Sequence, residues 1–232
     1  MTTSTTTAAA AVLQELDALI ARRSILNHPF YRAWTAGTLT REQLRGYAES
    51  YYPHVAAFPD YLRVAAGGAD EVVRAELLDN LREELSEPLP HTELWLRFAE
   101  GVGADRAAVT SAPATTVTAA TTATFQDLCE ESTASGLAAL YAYESQQPEV
   151  SRSKSAGLCE RYRIDDARTL SYFTVHAEAD LRHRAGERAA LARCLEQGAS
   201  GEQVLGAATR ALDAYWSLLD GVCERTGVDM SC

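Results

Sequence analysis

Lysine is nearly absent from the sequence, and no strongly basic segment occurs. Among 232 residues, 21 are lysine or arginine and 32 are aspartate or glutamate, which gives a formal net charge of −11. The longest basic run is the pair Arg22 and Arg23. Nucleic-acid grooves and anionic membrane surfaces both select for an excess of basic side chains. The composition therefore argues against nucleic acid or a membrane surface as a partner.

Closely spaced cysteines and long apolar runs are also missing. Zinc sites and disulfide-stapled small domains need close cysteine spacing, and the five cysteines include no Cys-x-x-Cys pair. They are Cys129, Cys159, Cys194, Cys223 and Cys232. No apolar run is long enough to span a membrane, and the first residues lack the basic start and apolar core of a secretory signal. We therefore expect a cytoplasmic protein with reduced thiols.

A sustained alternation of apolar and polar residues, which is typical of β-strands, does not occur either. From Val12 onward the apolar residues recur every three or four positions, as they do in helices with one buried face. This pattern predicts an all-α protein. We expect residues 1–10 to form a disordered tail and residues 11–232 to form a single helical domain, because a chain of this length suits one large domain with its own core.

Capping signals mark several helix starts. Thr40 and Gln43 have the spacing of a capping box, and Asp166 and Ser200 are good N-cap residues for two later helices. Residues 107–124 are mostly alanine and threonine, and threonine loses rotamer freedom in a helix. That stretch predicts a loop or turn that leads into a weakly favoured helix.

A candidate metal-binding pattern lies in the penultimate predicted helix. His176, Asp180 and His183 stand at positions i, i+4 and i+7, and at about 100° per residue they fall within about 60° of one helix face. Their side chains can therefore point at one spot, as imidazole and carboxylate ligands of a metal must. A solvated helix face in an arginine-rich stretch is the alternative explanation.

Two bound metal ions need ligands from several helices of a bundle, and the sequence offers further candidates. Glu144 lies in an otherwise apolar and aromatic run, where a buried carboxylate without a cation is costly. Glu84 and His91 are seven residues apart, and two prolines between them place them on successive elements. Glu83 and Glu87 compete with Glu84, and solvation at the surface is an equally good explanation of this acidic cluster.

The order of these residues and the segments around them resemble the heme-oxygenase-like di-metal oxidases of the TenA/PqqC-like superfamily. Within that group the sequence is most similar to the CADD-like branch, named for the chlamydial protein associating with death domains. The resemblance covers the chain from about Leu26 to about Leu219. The segments that carry it are NHPFYRAW, LTREQLRGYAESYY, AAFPDYL, HTELWLRFAEG, GLAALYAYESQQPEV and FTVHAEADLRH.

This resemblance implies a heme-oxygenase-like helical bundle of about seven core helices, usually a homodimer, with two metal ions in its core. The ions would be two irons or one manganese and one iron, with dioxygen and an external reductant as co-substrates. The electron donor is not identified by the sequence. Three histidines and three carboxylates would hold the ions: Glu84, His91, Glu144, His176, Asp180 and His183.

The CADD-like branch is associated with para-aminobenzoate synthesis for folate, in which the protein's own tyrosine supplies the ring and an internal lysine donates the amino group. Carried over to this chain, the tyrosine is Tyr31 in NHPFYRAW and the lysine is Lys154 in PEVSRSK. Such a protein is consumed by its reaction. Candidates for a radical relay are Tyr47, Tyr143 and Tyr172, for which ordinary helix packing is the alternative.

Lys154 is the single lysine in a chain with twenty arginines. An arginine cannot give up an amine as a lysine can, and a partly buried lysine can be neutral enough to react. A codon bias that removed dispensable lysines also fits this composition, and in that case the surviving lysine is still informative.

Other functions stay open on the sequence alone. A di-metal oxidase could act on an external fatty acid or amine, and a metal-free TenA/PqqC-like enzyme could share the architecture. A TenA-type reaction needs a nucleophilic cysteine in the pocket, and no cysteine lies in a segment that we expect there. An interaction module is the alternative from a different class. Because one fold hosts many functions, the site must decide among them.

Overall fold

The computed structural model of the chain describes residues 2–86 and 88–230. These residues form eleven α-helices and one short 3-10 helix, Ile25–Asn27, with no strand, so the all-α prediction is confirmed. In chain order the α-helices are α1 (Thr2–Arg22), α2 (Pro29–Ala36), α3 (Arg41–Gly67), α4 (Glu71–Ser86), α5 (His91–Gly101), α6 (Arg106–Ser111), α7 (Thr116–Glu131), α8 (Thr133–Glu144), α9 (Gln147–Tyr162), α10 (Ala167–Glu196) and α11 (Gly201–Thr226).

The structure differs from the sequence-based prediction of a disordered tail over residues 1–10. Helix α1 begins at Thr2, and its Ala9 is only 5% exposed. Alanine has the highest helix propensity, so the four alanines at 8–11 extend the amphipathic helix toward its N-terminus. The helix packs against α10 and α11, which adds a tertiary contact that the local sequence does not reveal. Met1 lies outside the described residues.

The predicted helix starts are confirmed by their caps. The Thr40 hydroxyl accepts from the Gln43 N–H at 3.2 Å, and the Gln43 side chain accepts from the Thr40 N–H at 2.9 Å. Asp166 and Ser200 cap α10 and α11 in the same way. Between residues 107 and 124 the structure has the end of α6, a break and the start of α7, so the stretch is more helical than expected.

Helix α8 lies in the middle of the bundle, in contact with α3, α7, α10 and α11. Every residue from Ala134 to Glu144 is buried, which agrees with a helix that is apolar on all sides. None of the described helices has both the length and the hydropathy needed to cross a membrane. The burial of α8 places the Glu144 carboxylate inside the protein.

Helix α10 packs on its different sides against α1, α4, α5, α8 and α9. It runs without interruption over 30 residues, so the i, i+4, i+7 spacing of its candidate ligands is a true helical stripe. The helices that carry the other three candidates are α4, α5 and α8, and all three are neighbours of α10.

The cysteines do not contribute cross-links to this fold. Cys129, Cys159, Cys194 and Cys223 are free thiols, and Cys232 lies outside the described residues. Burial raises the pKa of the Cys129 thiol to about 12 and that of Cys223 to about 11, so both are unreactive thiols at neutral pH.

Candidate metal centre

The structure brings the six candidate ligands together as two groups of three. Within each group the ligand atoms lie within 4.8 Å of one another, and all six residues are buried. We call these groups triad A and triad B. Triad A consists of Glu84, His91 and His176, and triad B consists of Glu144, Asp180 and His183.

In triad A the Glu84 carboxylate links the two histidines. Its Oε1 is 2.7 Å from His91 Nδ1 and 3.9 Å from His176 Nε2, and the two imidazole centroids are 4.4 Å apart. His176 Nδ1 donates to the Tyr172 carbonyl at 2.7 Å. That bond fixes the tautomer, so Nε2 is left with its lone pair toward Glu84, as a metal-ligating histidine requires.

In triad A the electrostatics favour a neutral imidazole at His176 and an imidazole paired with the Glu84 carboxylate at His91. Burial lowers the pKa of His176 well below its usual value, and the neighbouring His91 lowers it further. For His91, burial lowers the pKa, but the Glu84 carboxylate outweighs it and raises the pKa overall. His91 Nε2 is buried without a hydrogen-bond partner in the described residues.

In triad B a single histidine faces two carboxylates. His183 Nδ1 is 3.2 Å from Asp180 Oδ1 and 3.3 Å from Glu144 Oε1. Burial and the Glu144 charge raise the pKa of Asp180 to about 7. For His183, burial lowers the pKa, but Asp180 and Glu144 outweigh it and raise the pKa to about 11. The imidazolium therefore supplies the positive charge that two buried carboxylates need.

The residues of both triads fit a pair of metal ions. They offer imidazole nitrogen and carboxylate oxygen without thiolate, a donor set that suits iron and manganese. Two polar atoms of the triad residues, His91 Nε2 and Asp180 Oδ2, are buried without a partner in the described residues, and a buried polar atom normally has one. A bound cation would satisfy these atoms and would take over the charge now carried by the His183 imidazolium.

Side chains from neighbouring turns hold the carboxylates in place. Asn80, one helical turn before Glu84, donates from Nδ2 to both Glu144 oxygens at 3.1 Å. Glu83 accepts from His183 Nε2 at 3.2 Å and also pairs with Arg182 near the surface. Glu83 therefore lies at the rim of triad B, whereas Glu84 lies inside the centre.

The space at the centre is small. A cavity of about 10 Å³ lies between the triads, which is about the volume that one water molecule needs. Its lining residues are Val55, Phe58, Glu84, Tyr143, Glu144, Gln147, Tyr172, His176 and Asp180. The cavity has no room for a fatty acid, and it contains no cysteine.

The structure places Lys154 in a box of aromatic rings away from both triads. The lysine is 2% exposed, and its Nζ donates to the Tyr47 hydroxyl at 2.5 Å. Nζ lies 5.0 Å from the ring centroids of both Tyr31 and Tyr47, with further rings within 6 Å. Burial lowers the pKa of this amine well below its usual value. Burial therefore shifts Lys154 toward the neutral amine relative to a lysine in water.

A continuous row of aromatic contacts joins this box to triad A. The hydroxyls of Tyr31 and Tyr47 are 3.4 Å apart. The Tyr47 ring lies 5.6 Å from that of Trp95, and Trp95 lies 4.9 Å from Tyr172. Tyr172 stacks on His176 with centroids 4.0 Å apart. We call this row, from Tyr31 to His176, the ring path.

The third relay candidate, Tyr143, lies on a side branch of this path. Its hydroxyl is 3.0 Å from that of Tyr51, whose ring stacks on Trp95 at 5.0 Å. Tyr143 also lines the small cavity and directly precedes Glu144. The structure thus brings Tyr47, Tyr143 and Tyr172 into one aromatic network.

Four residues around the centre are not among the sequence-based candidates, although each carries a spacing signal. Trp95 lies four residues after His91, and Tyr51 lies four residues after Tyr47. Asn80 precedes Glu84 by four positions, and Glu187 follows His183 by four. Each residue therefore shares a helix face with a predicted one.

The other two histidines have structural roles. His28 caps α2, where its Nδ1 accepts from the Phe30 N–H at 3.1 Å, as its place before a proline suggests. His54 is buried among aromatic rings, and burial lowers its pKa to about 3. The acidic competitor Glu87 lies outside the described residues.

An all-helical bundle with two buried histidine and carboxylate triads defines a heme-oxygenase-like protein with a candidate dinuclear metal site. The family described as iron-containing redox enzyme matches residues 45–216. The chain belongs to this family and is one of its CADD-like members.

Related proteins support this assignment over nearly the whole chain. The chain is 40% identical over 230 residues to the 4-aminobenzoate synthase of Nitrosomonas europaea, with 94% of each chain covered. It is 39% identical to the 4-aminobenzoate synthase of Chlamydia muridarum, with 91% of this chain and 90% of that protein covered. A CADD-like protein of unknown function from Nostoc punctiforme has the same fold, with a TM-score of 0.78 at 17% identity over 96% of this chain and all of the other.

Proposed function

We propose that this protein is a 4-aminobenzoate synthase that consumes its own Tyr31 and takes the amino nitrogen from Lys154. The observation that carries the proposal is the box in which the only lysine of the chain is buried against Tyr31 and Tyr47. The likeness to 4-aminobenzoate synthases over more than nine-tenths of the chain supports the product.

The chemistry of the product defines what the residues must supply. The ring and Cβ of a tyrosine contain the seven carbons of 4-aminobenzoate, with a para substituent in the right place. The Cα–Cβ bond must break, and Cβ must be oxidised to a carboxylate at the expense of dioxygen. Nitrogen must replace the phenolic oxygen, which leaves as water, and the Cε–Nζ bond of the lysine must break. Tyr31 offers the ring, and the neutral amine of Lys154 offers the nitrogen.

Triads A and B would each hold one metal ion, two irons or one manganese and one iron. When bound, the pair supplies the oxidising power of dioxygen, with electrons from an external reductant. The protein's own part is to keep the site dry and to orient the ligands: His176 through the Tyr172 carbonyl, and Glu144 through Asn80.

The ring path gives Tyr31 an electronic connection to the metal centre. Its members are tyrosine and tryptophan, the two side chains that are most easily oxidised among the aromatic residues. An electron would leave Tyr31 toward His176 by way of Tyr47, Trp95 and Tyr172. The cavity of about 10 Å³ supports an internal substrate, because an external fatty acid does not fit there.

Isotope labelling tests the proposal. Protein made with ring-labelled tyrosine is loaded with iron and manganese, mixed with reductant and air, and analysed by mass spectrometry for product and for intact chain mass. We expect labelled 4-aminobenzoate at no more than about one equivalent per chain, and no product from Tyr31→Phe. Tyr52→Phe, which changes a half-buried tyrosine of the same helix α3 as Tyr47, is the matched control. Unlabelled product, or many turnovers, would refute a self-consuming reaction.

A further inference from the structure

Glu187 is a buried carboxyl group that the two triads do not account for. It is 1% exposed, and neither of its oxygens accepts a hydrogen bond from a donor in the described residues; its one side-chain partner is the Glu144 carboxyl, another acid. Among the described residues, no arginine or histidine forms an ion pair with Glu187. A carboxylate in such a place is costly unless a cation or a donor compensates it.

The position of Glu187 on α10 directs it toward triad B. It follows His176 by eleven residues, so at about 100° per residue it lies about 20° from it, inside the stripe that also presents Asp180 and His183. On the facing helix α8 its charged neighbour is Glu144. Asn80 bonds to Glu144 but leaves Glu187 without a donor.

We propose that Glu187 is a further ligand of the metal ion held by triad B, which gives that position three carboxylates and one imidazole. This inference rests on the proposed metal centre and extends it by one residue. Triad A, with two imidazoles and one carboxylate, then differs from triad B in its donor set. Oxygen-rich sites suit manganese, whereas imidazole favours iron, so triad B is the position with the stronger preference for manganese.

The test is an anaerobic titration with Mn²⁺ alone, followed by calorimetry and by the EPR signal of free Mn²⁺. We expect two equivalents for the unchanged protein. In Glu187→Gln, one equivalent should bind as before and the other at least about tenfold more weakly. Glu76→Gln is the matched control, because Glu76 is a half-buried glutamate of α4 whose carboxylate lies against Gly186, next to Glu187.

Three results would overturn the inference. Two equivalents of unchanged affinity in Glu187→Gln would show that a neutral amide suffices at this position. An equal loss in Glu76→Gln would show a general effect of removing one negative charge. An absence of binding by the unchanged protein would refute the metal centre itself. This outcome can be distinguished from the first two because it is observed without any substitution. Glu187→Asp keeps the charge but shortens its reach, and it should weaken the same equivalent if the glutamine variant does not fold.

Discussion

The amine of Lys154 lies 2.5 Å from the hydroxyl of Tyr47, while the ring centroid of Tyr31 lies 5.0 Å from the same amine without a hydrogen bond to it. The two tyrosines therefore have different relations to the one lysine. Tyr47 orients the amine, and Tyr31 presents a ring to it. Tyr47 also lies on the ring path, so in the proposed reaction one side chain would serve both the nitrogen donor and the path of the electron.

Tyr47→Phe tests both roles of Tyr47 together, because phenylalanine has no hydroxyl and is much harder to oxidise than tyrosine. The variant keeps an aromatic ring of nearly the same shape but loses the hydroxyl that holds Lys154. We expect the single-turnover yield of 4-aminobenzoate to fall about tenfold or more, because small misplacements of a reacting group have large effects on rate. The loss of one buried hydrogen bond should cost only about 1 kcal/mol of stability. A yield equal to that of the Tyr52→Phe control would contradict an orienting role.

Lys154 can be replaced in two ways that distinguish charge from chemistry. Lys154→Arg puts a permanent charge into a box of aromatic rings without a carboxylate partner, and we expect a loss of about 3–5 kcal/mol of unfolding free energy. Lys154→Met has a similar stem without charge and should be at least as stable as the unchanged protein. Both variants should make no product. Urea unfolding measures the stabilities, and equal stability of the two variants would show that the box tolerates a cation.

The stability of the metal-free protein should fall as the pH rises from about 7 to about 11. The folded-state pKa of His183, about 11, lies above its unfolded value of 6.5, so its contribution is complete below pH 6.5 and is lost as the pH rises through 11. For Asp180, with a folded pKa of about 7 against 3.8 unfolded, the corresponding loss of stability falls between these two values and so lies below this window.

Urea midpoints of the chelator-treated protein between pH 6 and pH 10 measure this trend. His183→Gln removes the group with the largest expected effect, so its profile should be flatter in this window. A midpoint that rises with pH in the unchanged protein would mean that the imidazolium in triad B does not stabilise the metal-free fold.

The ring path can be interrupted at Trp95 by a substitution whose change in core volume is too small to unfold the protein. Trp95→Phe keeps an aromatic ring but removes the most easily oxidised member, so the yield of product should fall while metal binding stays at two equivalents. Trp34→Phe is the matched control. Both indoles are fully buried, and each donates one hydrogen bond to a backbone carbonyl, at 2.9 Å for Trp95 and 3.2 Å for Trp34.

The two tryptophans differ in where their contacts lead. Trp34 touches Tyr47 and two phenylalanines, Phe98 and Phe173, which are harder to oxidise. Trp95 touches both Tyr47 and Tyr172, the tyrosine that stacks on His176. Freeze-quench EPR of tyrosyl radicals, together with product yield, compares the variants. Equal effects of both changes would indicate that general packing of the aromatic core, and not the path through Trp95, limits the reaction.

The part of the centre that lies on α10 could be predicted because helix geometry alone determines it. A uniform rotation per residue puts His176, Asp180 and His183 on one face whatever the rest of the chain does. Glu144 could be predicted for a different reason. A single carboxylate in an apolar run is costly to bury unless it has a partner such as a cation. Neither argument needs knowledge of which helices are neighbours.

The remaining parts depend on long-range packing that a single sequence does not express. Glu187 and Trp95 each have the right spacing, but so does Arg184, which follows Asp180 by four residues and has a partly exposed side chain. Only the arrangement of α4, α5 and α8 around α10 decides which of them face the centre. The burial of Ala9 likewise depends on the packing of α1 against its neighbours.

The burial of Lys154 also determines what can reach the amine from outside. Because no other lysine exists in the chain, the folded protein offers no lysine side chain to aldehydes, acyl donors or other electrophiles of the cell. In the proposed reaction, the nitrogen would thus stay in a protected form until it is used. In practice, reagents that label lysines on intact proteins should leave this side chain unmodified until the fold is opened.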